Sequence, residues 1–262
     1  MARSILSLTI GFGAVSIPVR IYKAVEDTSP SFHQYHKDDK GPVRYQRVCS
    51  LDKELLELSD IAKGKKFGSE IILFEDEELD RMKPQSTKTM RIIGFYELSK
   101  IPDIAYSEPL YVGTESKKEG GVGAPFALLR DSLRKAGKVA VVGWVSRGHD
   151  HYGALFPHGE ILLLRQLELA QNIRSTEDIE VLPGKVPPQL VAKAVSGIIN
   201  RMTRKSFDWE DLKDSYTETL DKYIEAKALG EPVAIEEIVP QKPSELRDLE
   251  ALVNQSSIAL DR

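Results

Sequence analysis

Leu6, Leu8, Ile10 and Phe12 alternate with Ser7, Thr9, Gly11 and Gly13, the period of a half-buried strand. After Ala14 the apolar parity flips to Val15, Ile17, Val19 and Ile21. A strand cannot change its buried face without a break, so the spacing predicts a turn or bulge near Gly13 and two strands laid on one core. Pro18 has no N–H, so the second run should border its sheet or begin pairing beyond that residue. Strand-like runs return at residues 71–74, 88–98 and, after Pro109, 110–112. KVAVVGWVS, HYGALF and EILLLRQL are separated by links of hairpin length around Arg147-Gly148 and Pro157-His158-Gly159, which predicts an antiparallel meander. Strand after strand with few helices between them points to a barrel or closed sheet.

Helical spacing is interleaved and then takes over. Residues 75–82 predict a short helix with acids near its positive end, Leu79 and Met82 turned inward, and Pro84 as its stop. Pro125 opens a second helix with Phe126, Leu129, Leu133 and Ala136 on one face, Arg130 and Arg134 on the other, and Gly137 at its end. Beyond Pro183, Leu190, Val191, Ala194, Val195, Ile198, Ile199 and Met202 recur at helical spacing. Asp208 is expected to cap a further helix with Leu212, Tyr216, Leu220, Tyr223 and Ile224 on one face, closed by Gly230 and Pro232. Residues 233–243 read as a linker, and Leu246, Leu249, Leu252 and Val253 as the buried face of a last helix. The class expected is α+β, with a β core over 1–183, a helical arm over 184–232 and a linker with a helical tail over 233–262.

Composition narrows the function. The 262 residues suffice for a full core, no apolar run approaches the roughly 20 residues that span a bilayer, and the start lacks a signal peptide's apolar centre. Cys49 is the single cysteine, so no disulfide framework exists and a cytoplasmic setting is expected. Net charge is −4, which taken alone argues against nucleic acid as a partner. The charge is uneven, however: Arg3, Arg20, Lys23, Lys37, Lys40, Arg44 and Arg47 crowd residues 1–50, whereas acids outnumber bases from Arg201 onward. Phosphate contacts respond to local field, so converging bases on an acidic protein can still bind DNA. KDDKGPVRYQR reads either as a solvated hairpin or as a basic ribbon along a phosphate backbone. The Lys63-Gly64-Lys65-Lys66 cluster reads as simple solubility or a binding patch.

Catalytic chemistry is largely missing. His33-x-x-His36 lacks the glutamate of a zinc-binding helix, and His149-Asp150-His151 sits beside a turn that explains it as solvated. Cys49 has no second cysteine for a zinc ribbon. There is no phosphate-binding glycine loop, no GxSxG elbow, and Gly11-Phe12-Gly13 lacks the following helix of a dinucleotide site. No nucleophile stands with a base, and the residues point to a binding protein.

Several stretches in order, GFGAVSIPVRIYKAVED, SFHQYH, VRYQRVC, DEELDRMKPQSTKTMRIIGF, EPLYV, FALLRDSLRKAGKVAVVGWVSRGHDHYGALFP and an arm ending in EAKALGEP, resemble the bacterial Ku family. The resemblance covers nearly all of residues 1–232. It implies a non-enzymatic, cofactor-free homodimer whose β-barrels and bridge strands close a ring around duplex DNA. The ring would bind double-stranded ends independently of sequence, at the nucleoid, and recruit the ATP-dependent DNA ligase of non-homologous end joining in double-strand break repair. It places Arg44 and Arg47 on the bridge, Lys37, Lys63, Lys65 and Lys66 on neighbouring loops, and Arg147 at a basic family position. Arg20 and Lys88 complete the implied DNA contacts. Leu190, Ala194, Ile198, Met202, Tyr216 and Leu220 would serve dimerisation. Where many relatives carry a cysteine pair this chain runs Cys49-Ser50-Leu51, so a metal there is lost. Where some end in a lysine-rich tail, residues 231–262 are acidic, which assigns Leu246, Leu249, Leu252 and Val253 to a protein partner, the ligase. The rival readings are a metal-dependent nuclease using His33, His36 and His149, and a dimerising scaffold without DNA.

Overall fold

The computed structural model describes residues 3–115, 123–182 and 189–230. It separates into two compact units, residues 1–27 with 33–176, and residues 28–32 with 177–262. No helix among the described residues is long and apolar enough to cross a membrane.

The first unit is built on a closed seven-stranded barrel. β1 (Leu6–Phe12) and β2 (Val15–Lys23) form a hairpin whose turn puts Gly13 at φ +57°, the left-handed region a glycine takes without a side-chain penalty. The parity flip is therefore a tight turn, and both strands face one interior. β2 pairs on its other side with β6 (Tyr106–Thr114), beginning at Val19↔Thr114, one residue past Pro18. The meander follows as β7 (Lys138–Ser146), β8 (His149–His158) and β9 (Ile161–Leu167). Its turns are tighter than the spacing implied, since His149, Asp150, Pro157 and His158 belong to β8. Pro157 is tolerated because the β7 ladder has already ended at Ala140↔Leu155, so its missing N–H faces no partner on that side. β5 (Thr89–Glu97) joins β7 antiparallel and β1 parallel, closing the barrel in the order β1-β2-β6-β9-β8-β7-β5.

Ile10, Ile17, Val19, Ile21, Met90, Val112, Val142, Leu155, Leu162 and Leu164 fill the interior, each fully buried. Burial of one such side chain is worth roughly 1.5–3 kcal/mol, so the barrel carries the stability of this unit. Helix α2 (Gly123–Ala136) adds Phe126, Leu129 and Leu133 to the same core, with Gly137 at φ +62° after its last turn. Ala136, expected on that face, is exposed. Arg130, expected in solvent, is buried. Its guanidinium donates to the Glu160 carboxylate (2.6 Å) and carbonyl (2.8 Å) and to Asp131 (2.9 Å), because the β8–β9 turn lies over the helix. Arg134 donates to Asp131 and to the Gly159 carbonyl, completing a clamp between α2 and that turn.

Between β2 and β5 the chain leaves the barrel and returns to it as an arch, of which residues 28–32 are grouped with the second unit. No residue from 24 to 88 is buried. Two tight turns are closed by the isolated bridges Tyr35↔Pro42 and Val48↔Leu55, with Lys40 and Lys53 at positive φ. β3 (Lys63–Phe67) and β4 (Glu70–Phe74) form a separate hairpin. Helix α1 (Asp76–Met82) follows under a capping box made by Glu75 and Glu78. Met82 is exposed and Leu79 only half-buried, since an arch offers no core to turn toward.

In the second unit, α3 (Gln189–Met202) and α4 (Ser215–Leu229) are the helices of the arm. Asp208 caps only a single 3₁₀ turn, Trp209–Asp211, and Leu212 lies outside a helix. The cap of α4 is Asp214, whose carboxylate accepts from the Tyr216 N–H and the Thr217 hydroxyl. Those donors hold the Asp214 carboxyl below its ordinary range, the Thr217 hydroxyl foremost. Gly230 at φ +74° ends the helix.

Candidate nucleic-acid interface

Topology decides which side chains meet. β1 and β5 run parallel, and β2 and β7 run antiparallel to them. The start of β1, the end of β2, the start of β5 and the end of β7 therefore share one end of the barrel. That end carries Arg3, Lys23, Lys88 and Arg147, and it is where the arch departs and returns. Arg147 lines one hollow with Arg3 and Lys23, and a second with Lys88. None of these four cations has a carboxylate within ion-pair distance among the described residues. Sequence reasoning reached Lys88 and Arg147 but left Arg3 and Lys23 as unassigned bases. Only the pairing of β1 with β5 shows that they belong together.

The returning leg of the arch is seated on the β7–β8 turn. Arg147 (φ +52°) and Gly148 (φ +75°) make the two-residue turn that fits the twist of a hairpin. A Cβ on Gly148 would stand 2.7 Å from Cδ of Lys83, so only glycine lets that alkyl stem lie against the turn. Lys83 also donates to Asp80 (2.6 Å), which holds the Asp80 carboxyl below its usual range, and Ser86 Oγ donates to the Val145 carbonyl (3.1 Å).

On the arch, Arg44 and Arg47 lie on the middle leg between the two tight turns, a basic ribbon without a regular ladder. Tyr45 between them is 82% exposed and donates its hydroxyl to Gln34. Lys37 lies in the first turn, whose Asp39 accepts from the Gly41 N–H (2.8 Å) and His36 (2.9 Å). These two contacts, Gly41 first, lower the Asp39 carboxyl. Lys63, Lys65 and Lys66 are on β3 rather than on loops, because Gly68 and Ser69 turn the chain back and pair them with Phe74, Ile72 and Ile71. Lys63 donates to Asp76 (2.7 Å), which raises its pKa and neutralises its charge locally. Lys65 and Lys66 point to opposite faces of the ribbon. Arg20 projects outward from β2, half-buried and already engaged within the fold, which makes it the least available of the expected contacts.

The histidines do not assemble a metal site. His36 is tied to Asp39, and His151 stacks on Trp144 at 5.5 Å between ring centroids. No group of three or more His, Cys, Asp or Glu side chains that could hold a metal occurs among the described residues. Of the residues expected at a dimer interface, Met202 and Tyr216 are exposed, Ile198 and Leu220 half-buried, and Leu190 and Ala194 lie in α3. Leu246, Leu249, Leu252 and Val253 lie outside the described residues.

The other end of the barrel is apolar. Phe12, Val15, Phe95, Leu128 and Leu133 line an open groove of about 610 Å³ between the β1–β2 hairpin and α2. Phe12 and Val15, expected on the buried faces of their strands, are 45% and 43% exposed, because the hairpin overruns the core here.

A family model described as the Ku70/Ku80 beta-barrel domain matches residues 11–193. Curated relatives named Non-homologous end joining protein Ku are similar over almost the whole chain. The Streptomyces avermitilis protein is 31% identical over 258 residues, 98% of this chain and 79% of the relative. The Bacillus subtilis protein is 26% identical over 258 residues, 97% and 80%. The Archaeoglobus fulgidus protein is 28% identical over 247 residues, 93% and 95%.

Proposed function

The chain belongs to the Ku family of non-homologous end joining proteins, and from that premise we propose that it binds ends of double-stranded DNA as a homodimeric ring. The observation that carries this reading is the arch of residues 24–88, which buries nothing and leaves and rejoins the barrel at its basic end. A protein segment of that length without a core of its own needs another surface to justify its order. Its bases, Lys37, Arg44, Arg47, Lys65 and Lys66, and the rim cations Arg3, Lys23, Lys88 and Arg147 suit a phosphate backbone. Contacts of this kind carry charge and shape without base readout, so binding is tolerant of sequence and weakened by salt.

The dimer rests on apolar surface. The groove of Phe12, Val15, Phe95 and Leu128 is one area a second copy would cover. Ile199, Met202 and Tyr216 of the arm, with Ile198 and Leu220 beside them, are another. An isologous interface would use each of them twice. The β core with its arch forms the DNA-binding part, the arm the dimerising part, and residues 233–262 the docking segment for an ATP-dependent ligase. In this reading the protein acts without catalysis or cofactor.

The test is a band shift at moderate salt with a linear duplex and the same sequence as a closed circle. A threading ring binds the linear form, survives circular competitor and ignores sequence. Equal binding to both forms overturns the ring. Removal of residues 233–262 is expected to leave end binding intact and abolish ligase stimulation.

A further inference from the structure

Arg147 borders three hollows at the basic end of the barrel, and they differ in their acids. One, of about 550 Å³ beside Arg3 and Lys23, includes Glu26. Another, of about 440 Å³ reaching Trp144 and His151, includes Glu108. The third, also about 440 Å³, is lined by Ser4, Ser7, Ser86, Ser146, Lys88 and Arg147 over an apolar floor and contains no carboxylate. Ser86 already donates to the Val145 carbonyl. The hydroxyls of Ser4, Ser7 and Ser146 and the two cations have no protein partner among the described residues. The hollow thus presents donors and positive charge with nothing of its own to satisfy them.

The backbone gives an independent sign. Lys40, Lys53, Lys88 and Arg147 are the non-glycine residues at positive φ among the described residues, and the last two, each at +52°, are the hollow's two cations. An L side chain is strained there and glycine is not. Strain held at a site that stability alone would give to glycine points to a use for the side chain.

We propose that this hollow seats one phosphate of the bound DNA, a claim that rests on the DNA-binding reading above. Lys88 and Arg147 supply the charge, and Ser4, Ser7 and Ser146 donate hydrogen bonds to the phosphate oxygens. The ligand chemistry is a phosphate carried by a nucleic-acid strand, either a backbone diester or a terminal monoester.

The test pairs Lys88→Gly with Arg147→Gly in the full chain and measures binding to linear duplexes with phosphorylated and dephosphorylated ends across a salt series. The expected result is an affinity loss of about tenfold, with the slope of log K against log salt shallower by about 1 for each hollow engaged. The melting temperature should stay level or rise, because both glycines relieve left-handed backbone. A purely structural role for the two residues would lower it. Should the glycines unfold the turn, Lys88→Gln with Arg147→Gln removes the charges and keeps the side-chain bulk. Equal loss on both duplexes assigns the seat to a backbone diester, and loss confined to the phosphorylated ends assigns it to a terminal monoester. Wild-type affinity and slope in the variants overturn the phosphate seat while end binding stands. A wild-type chain that binds neither duplex overturns the DNA reading itself.

Discussion

The two ends of the barrel are made by the same strands and present opposite chemistry. Along β1, at roughly 3.3 Å per residue, about 20 Å separates Leu6 at the rim from Phe12 at the hairpin. At the rim, Arg3, Lys23, Lys88 and Arg147 make no ion pair among the described residues, and serines lie between them. At the hairpin, Phe12 meets Phe95 edge-on at 5.7 Å, and Leu128 lies open on α2. Charge held in water at one end suits a phosphate backbone. Apolar surface left in water at the other suits protein. The difference teaches that a closed barrel fixes geometry only: it separates two surfaces so that one partner need not displace the other.

The broadest way to break the comparison is to damage what the ends share. Leu164 is fully buried at the centre of the interior, beneath Gly153, where a Cβ would come within 2.6 Å of it. Leu164→Ala is expected to cost about 2–5 kcal/mol, read as a lower denaturation midpoint, with DNA binding and self-association lost together. Loss of one property with retention of the other would show that the two ends do not depend on a common core.

The comparison sharpens when each end is altered alone. Phe95→Asp with Leu128→Asp places two charges in the groove. Truncation of central interface residues commonly costs 2 kcal/mol or more, so the dimer constant should weaken by about thirtyfold or beyond, measured by sedimentation equilibrium. Lys23→Gln should instead leave the dimer untouched. It should weaken end binding several-fold, with a salt slope shallower by about 1 where Lys23 meets a phosphate. A groove variant that stays dimeric removes the groove from the interface.

Much of this was legible in the chain and some was not, for physical reasons. The parity flip at Gly13 and the meander of residues 138–167 are local signals, because side-chain alternation and turn chemistry are set by near neighbours. The succession of strands pointed to a closed sheet, and the family resemblance added the bridge. The rim was hidden, since Arg3 and Lys23, at the ends of the β1–β2 hairpin, meet Lys88 and Arg147, at the ends of β5 and β7, only through the parallel pairing of β1 with β5. Arg130 was misread because helical spacing gives a face and not what covers it. The Glu160 turn, thirty residues on, makes that face an interior one. The resemblance implies a loop for Lys63, Lys65 and Lys66, and a lysine run has no strand propensity of its own to argue otherwise. Pairing with residues 70–74 overrides both.

The smallest effect concerns what holds the groove's wall. Asp131 ties α2 to the β8–β9 turn through Arg130 and Arg134, and α2 carries Leu128 and Leu133 into the groove. The Arg130 guanidinium, foremost, holds the Asp131 carboxyl below 3.8. A carboxyl lowered on folding stabilises above its unfolded pKa, and the contribution is lost as pH falls through the lowered folded value. The melting temperature attributable to this clamp should therefore be constant from neutrality to about pH 5 and decline below about pH 4. Asp39, Asp52, Asp80 and Asp214 are lowered as well, so acid lability alone would not identify Asp131. Comparison with Asp131→Asn does. The variant should melt lower than the wild type at pH 7, with the gap closing as the pH falls toward 3. Its self-association should be weakened at pH 7 while its DNA affinity is retained, because the clamp supports the apolar end alone. A gap that persists undiminished into acid would show that Asp131 acts through packing and that the clamp carries no charge-dependent share of the groove's stability.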